Sequence, residues 1–383
     1  MVVGTAGAIA LDVGGGLIAL IAIADMFLTI FNYDGYTTLT TFFHRGWWRV
    51  LRGITSPLPT AARHVALSLG SASMLPATVA LWLGLEVVGF ALLYDSAIGG
   101  GAFALKGASG SLGTAFYLSA GAISSLAFGD VVAHGAADRA LVDLETIVGL
   151  ATFTLALGYV VTAFGILSRL EALHGRVSRH AVDLTRPESI VCRHFRAGSP
   201  NELPSFLQAL ADNLEDYDQG LRRYPVVYFF HTRRTTRSIP VVFTAIGDLI
   251  ALLRWGLPPD EPVTGDAYLM ALHDEYLETL DRLRRSFVGP RPLRVPEPLE
   301  REPFEDAYLA GRIDEGVDDF RTLERNGREA AGADAAPDPD VDRAYERYRQ
   351  WLPFAWLQDA VLDRVADRLV YARPDPVATR RAA

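Results

Sequence analysis

The sequence predicts an all-α membrane protein followed by an α-helical soluble domain, and three observations carry that prediction. First, three stretches match the roughly 20 apolar residues that span a bilayer core as a helix: about Val13 to Phe31, Met74 to Leu93 and Ala140 to Leu167. Second, the charge is divided unevenly. Residues 1–170 hold nine acids and seven bases, whereas residues 171–383 hold 36 and 29. Third, the charged half repeats apolar residues at i, i+3 and i+4, the period of an amphipathic helix. A length of 383 residues fits more than one domain.

The N-terminal run has no basic flank and carries Asp12 and Asp25. It therefore reads as a retained span, not a cleaved signal peptide. Behind it, "HRGWWRVLRG" (His44 to Gly53) alternates tryptophan with arginine. Such a segment lies in the membrane interface, with rings at headgroup level and arginines on lipid phosphates; an ordinary connector is the plainer alternative. These parts form a first region, residues 1–68.

Arginine placement sets the orientation. Arg45, Arg49, Arg52 and Arg63 follow the first span, and Arg169, Arg176 and Arg179 follow the third; the loop between the second and third has only Lys106 and Arg139. The first loop and the C-terminal half are therefore expected in the cytoplasm, and the N-terminus outside a multi-pass cell-membrane protein. No span carries arginine at every third position, so a voltage-sensing helix of that kind is not expected.

A fourth apolar run, Thr114 to Leu126, is too short to cross and reads as a re-entrant helix. Irregular backbone at membrane depth must be buried in protein or line a water-filled cavity. A pore meets that condition when small residues let the backbone take φ > 0 and turn carbonyls inward.

The residues after this run, "SSLAFGD" (Ser124 to Asp130), resemble the filter signature of the potassium channel superfamily, TVGYG followed by Asp. Ser125 stands for Thr, Leu126 for Val, Ala127 for the first Gly and Phe128 for Tyr, while Gly129 and Asp130 match. Upstream, "AFYLSAGAIS" resembles the pore helix, with Phe116 and Tyr117 as its aromatic pair. Gly149, nineteen residues beyond Asp130, resembles the gating hinge of an inner helix. "ADMFLTIF" and "YPVVYFF" more loosely resemble bacterial two-transmembrane "ion channel" proteins. The resemblance covers about Leu69 to Leu170 and implies a pore-loop module (outer helix, pore helix, filter, inner helix) in residues 69–180, with a monovalent cation on the carbonyls of Ser125, Leu126, Ala127 and Phe128. One chain supplies one loop, so it also implies a homotetramer in contact with membrane lipids. A Cβ at Ala127 in a left-handed conformation costs roughly 1–2 kcal/mol, and Phe128 lacks the tyrosine hydroxyl. Both departures bear on potassium selectivity.

Asp25, Glu86 and Glu145 lie within apolar runs, where acids mark function or buried partners. Glu145, one turn before Gly149, is placed to support the pore helix or sense protons, and Glu86 is a candidate for the same role. An acid bonded to Ser, Thr or a carbonyl is the structural alternative for each.

The soluble half, residues 181–372, contains helical patterns in "NELPSFLQALADNLEDYDQGLRRY", "AYLMALHDEYLETLDRLRRSF" and "VDRAYERYRQWLPFAWLQDAVLDRVADRLVYA". Pro353 is expected to kink or break the last. "GPRPLRVPEPLEREP" and "AGADAAPDPD" read as linkers, and residues 373–383 as a flexible tail.

Several functions are disfavoured. A net charge of −9 argues against general nucleic-acid binding. The single Cys192 permits neither an internal disulfide nor a cysteine metal site. No G-x-G-x-x-G follows a strand, "GASGSLG" (Gly107 to Gly113) reads as an outer loop, and "HTRRTTR" (His231 to Arg237) as a solvated face rather than an anion site. His273, Asp274 and Glu275 point different ways on a helix. No nucleophile–base pair is evident, so neither an enzyme nor a cofactor is expected, and the ligand of the soluble half is unassigned. The expected function is a tetrameric cation channel; the alternative is a non-conducting signalling or scaffold protein that retains a pore-like fold.

Overall fold

The apolar sequence Thr5–Ile30 forms a helix, α1, whose small residues decide what it packs against. Gly15 and Ala19 meet Gly89 of α4 (Met74–Gly99) so closely that a Cβ on Gly89 would stand 2.7 Å from the Ala19 amide nitrogen. Small side chains let helix backbones approach, and close packing is what holds helices together where lipid is as apolar as the protein.

The computed structural model describes residues 5–31, 38–107, 109–126, 128–180, 186–196, 202–310, 315–333 and 338–371. The chain divides into two units: Met1–Ile166 with Leu221–Phe230, and Leu167–Gly220 with His231–Ala383.

In the first unit, α1 is followed by α2 (Leu39–Thr55) and α3 (Thr60–Ala72). Thr38 caps α2 in a reciprocal pair with Thr41. After α4 comes the short helix α5 (Leu112–Ile123), then α6 (Ala136–His180), a 45-residue helix in whose course the division between units falls. Strands β1 (Phe103–Leu105) and β2 (Val131–Ala133) pair antiparallel on either side of α5, in register Phe103 to Ala133. The sequence reading contained no strand. Three residues each are too few to show an alternating pattern, yet the pair closes the segment between α4 and α6 into a loop held at its base.

The second unit contains α7 (Glu188–Arg196), α8 (Leu203–Arg223, whose last residues join the first unit), α9 (Ile239–Ala251), α10 (Ala267–Phe287), α11 (Arg301–Ala310), α12 (Glu315–Ala331) and α13 (Val341–Leu369). Asp266 and Asp340 cap α10 and α13. A π-helical turn, Leu252–Gly256, extends α9. α13 runs through Pro353, so of the expected kink or break the break does not occur; Trp351 and Phe354 on either side are buried, and packing holds the helix where one backbone bond is lost. The expected tail lies outside the described residues.

Four helical segments among the described residues are long and apolar enough to cross a membrane: Ala6–Ile30, Thr60–Gly99, Ala136–Arg179 and Ile239–Gly256. The first matches the expected Val13 to Phe31 stretch to within one residue at its C-terminal end, the second and third contain the other two expected stretches, and the fourth was not expected. Val13, Leu17 and Leu20 of α1 and Ile147, Leu150 and Leu157 of α6 are exposed, as lipid-facing or partner-facing side chains are. In α9, by contrast, Val242, Phe243, Ile246 and Leu249 are completely enclosed by the protein. A helix apolar all round is at home in a core as well as in a membrane, and α9 is the core helix of the second unit. Gly247 admits the Gln358 and Tyr276 side chains against its backbone. Gln358 Nε2 donates to Asp248 (2.9 Å) and Tyr276 donates to Gln358 Oε1 (3.1 Å), so these three polar side chains of the core are paired with one another.

Candidate functional site

α5 has twelve residues, and at a rise of about 1.5 Å per residue it covers only about half the hydrocarbon core. It begins at Ser111, whose hydroxyl accepts from the Thr114 amide. It ends where the Ser125 and Leu126 amides donate to the carbonyls of Ala122 (3.0 Å) and Gly121 (2.8 Å). Ser125 takes a left-handed conformation (φ 59°) and Gly129 another (φ 76°). The sequence placed the need for φ > 0 at Ala127, which lies outside the described residues. At Ser125 no glycine marked it, and a left-handed residue with a Cβ is costly enough to be a built feature.

Contacts of Phe128, Ser124 and Asp130 fix the loop. Phe128 stacks on Tyr117 of α5 with ring centroids 5.2 Å apart, and its ring lies on Gly121, where a Cβ would stand 3.3 Å from it. Phe128 lacks the tyrosine hydroxyl but is braced by stacking within its own chain. The Ser124 hydroxyl turns back to the Ala120 carbonyl (2.5 Å). The Asp130 carbonyl accepts from the Lys106 amide (2.8 Å), in line with the β1–β2 ladder, and the Asp130 carboxylate accepts from the Val131 amide (3.1 Å). The Asp130 end of the loop is therefore tied to the sheet. The Leu126 and Phe128 side chains remain more than half exposed. Between α5, the loop and Val142 and Thr146 of α6 lies a cavity of about 260 Å³, room for several waters at about 30 Å³ each.

Behind α5 stands Glu145, completely buried. Its two carboxyl oxygens accept from different helices: the Tyr94 hydroxyl of α4 (2.7 Å) and the Ser119 hydroxyl of α5 (2.5 Å). Ser119 also lies 3.1 Å from the Val87 carbonyl. One acid on α6 thereby links α4 and α5. Glu86 of α4 accepts from Thr152 of α6 (2.8 Å), while its second oxygen, Oε2, is buried without a hydrogen-bond partner among the described residues. Tyr94, Ser119 and Thr152 were invisible as partners in the sequence, where they lie 26 to 66 residues from the acids they serve.

Gly149 lies where α6 crosses the end of α5. A Cβ there would meet the Ile123 carbonyl oxygen and stand 2.6 Å from Ile123 Cγ1 and 2.9 Å from its Cα. α6 is unbroken at this point. The glycine admits the close approach that sets the depth of α5 against α6, a role distinct from the hinge that the resemblance implies.

Asp25 belongs to a second polar cluster in the same unit. It accepts from the Thr40 amide (3.1 Å) and hydroxyl (2.5 Å) and from Trp82 Nε1 (3.0 Å), joining α1, α2 and α4. Nearby, His44 Nε2 lies 2.8 Å from Thr78 Oγ1. Burial pushes the His44 imidazole down to about 4, against the opposing pull of Asp25, so it is neutral near pH 7. This is the structural alternative for Asp25: an acid satisfied by its neighbours.

The chain is similar to the uncharacterized membrane protein YdjJ of Bacillus subtilis (strain 168), with 19% identity over 232 residues, 61% of this chain and 67% of the relative. No protein-family model and no solved structure matches the chain. With its long exposed apolar helices, this likeness makes the chain an α-helical membrane protein.

Proposed function

We propose that the chain is one subunit of a tetrameric channel for monovalent cations in the cell membrane, with the N-terminus outside and the second unit in the cytoplasm. The observation that carries the reading is the arrangement at residues 112–130. A helix too short to cross is pinned from behind by Glu145. It ends in a loop with left-handed backbone at Ser125 and Gly129 and with Leu126 and Phe128 exposed. The carbonyl end of a helix carries partial negative charge, which favours a cation near the end of α5. One loop does not enclose an ion; four around an axis do. In such an assembly the exposed stripe of Ile147, Leu150, Leu157 and Val161 on α6 faces neighbouring copies, the conduction path or lipid. Ser125 is the left-handed residue next to the helix and position 127 carries a Cβ, so the permeant class is monovalent cations, without strict selection of potassium.

The test is ion flux from liposomes containing the purified protein. Cation flux that Gly129→Val abolishes, with a tetramer mass in detergent, supports the reading. A reversal potential that follows chloride, or a monomeric mass, overturns it. Absence of flux across pH, voltage and salt would favour a non-conducting scaffold.

A further inference from the structure

In a chain of net charge −9, no acid occurs between Asp34 and Glu86, whereas Arg45, Arg49, Arg52 and Arg63 do. The fold turns this local excess into a surface. α2 has three faces. One is anchored: Thr40, His44, Trp48 and Thr55 are buried, with Trp48 against Phe229 (6.0 Å), and Trp47 Nε1 donates to Gly70 of α3 (3.3 Å). A second, at i, i+4 and i+7, is Arg45, Arg49 and Arg52. Among the described residues none of the three is ion-paired, and the nearest buried acid, Asp25, has its oxygens taken by Thr40 and Trp82. The third face exposes Leu39, Phe42, Val50 and Ile54, the last by 69%.

We infer that the outer surface of α2 is a binding site for anionic phospholipid, with the arginine stripe on the headgroup phosphates and the Phe42–Val50–Ile54 face among the acyl chains. A helix anchored on one face and amphipathic across the other two lies in the plane of the interface. A free soluble anion leaves the apolar face without a partner, and a neutral lipid leaves the arginines without one. On α4 the bonds of α2 reach Thr78 and Trp82, whereas α5, the helix that leads into the candidate filter, is bonded through Ser119 to Glu145 and the Val87 carbonyl, so lipid binding here is separate from conduction.

The experiment is native mass spectrometry of the full-length protein in detergent, titrated with phosphatidylglycerol and, separately, with phosphatidylcholine. A basic residue beside an anionic surface is worth about fivefold in affinity. Wild type should therefore bind phosphatidylglycerol on the order of 100-fold more tightly than the triple variant R45Q/R49Q/R52Q. The triple lysine variant should keep most of the preference, which separates charge from a folding defect. Phosphatidylcholine binding should be equal in all three proteins, and added inorganic phosphate should not compete. Equal binding of the two lipids by wild type overturns the inference. So does competition by millimolar phosphate, which would mark a soluble-anion site. Neither outcome depends on whether the protein conducts.

Discussion

Replacing Gly149 by alanine separates two roles that a glycine in a long helix can play. As a hinge, it supplies flexibility, and alanine in the middle of a helix should stabilise by about 1 kcal/mol. The structure indicates the opposite sign. The new methyl carbon would stand 2.6 Å from Ile123 Cγ1 and 2.9 Å from Ile123 Cα, whereas carbon contacts rest at about 3.5–4.0 Å. Relief needs a shift of about 1 Å, and the obstructing atoms include backbone, which does not rotate away. Overpacking of this kind costs typically about 1–3 kcal/mol. Set against the gain of about 1 kcal/mol in helix propensity, the clash should leave Gly149→Ala destabilised by up to about 2 kcal/mol. Gly158→Ala on the same helix is the control: nothing lies within 4 Å of its Cβ position, so it should be neutral or slightly stabilising. The assay is thermal unfolding of the detergent-solubilised protein followed by tryptophan fluorescence. An unfolding temperature for Gly149→Ala at or above that of wild type and Gly158→Ala would refute the packing argument.

Three further outcomes are expected. Ser125→Gly removes the Cβ from a left-handed position (φ 59°); relief of roughly 1–2 kcal/mol, less the entropy of a freer unfolded chain, should leave a small rise in unfolding temperature. Tyr94→Phe takes one donor from the buried Glu145 and should cost about 1–3 kcal/mol, read as a lower unfolding temperature, whereas an unchanged value would remove Glu145 as a strut. In the second unit, burial first, and then Asp218, Glu278 and Glu215, push the Glu275 carboxyl up to about 7, against the pull of Arg282. A carboxyl raised on folding holds its proton longer in the folded state, so its penalty is absent below about pH 4.5 and grows as pH rises to about 7. Glu275→Gln should therefore stabilise at pH 8, by about 1 kcal/mol after allowance for solvent screening, and leave stability at pH 4 unchanged; equal effects at the two pH values would contradict the assignment.

The three long apolar helices α1, α4 and α6 were legible in the sequence because a bilayer imposes a length and a composition that survive without tertiary context. The short helix α5 was legible for the same reason, as an apolar run too brief to cross. α9 stood outside the sequence reading; an apolar helix in a protein core and one in lipid share a composition, and only the helices packed around it distinguish them. The small sheet was missed because its strands are three residues long and their pairing joins residues on opposite sides of α5.

Composition and spacing by themselves determined where the chain is apolar, where its charge lies and that Glu145, Glu86 and Asp25 needed partners, since the cost of burying an acid can be read from one residue. Which partners they have was decided by the tertiary structure. Tyr94 and Ser119 reach Glu145, and Trp82 reaches Asp25, across 26 to 57 residues of chain. Left-handed backbone likewise fell at Ser125 as well as at Gly129, and Gly149 became a point of contact. A backbone angle and an interhelical approach are set by the atoms on the other side of the contact, and those atoms belong to residues distant in the sequence.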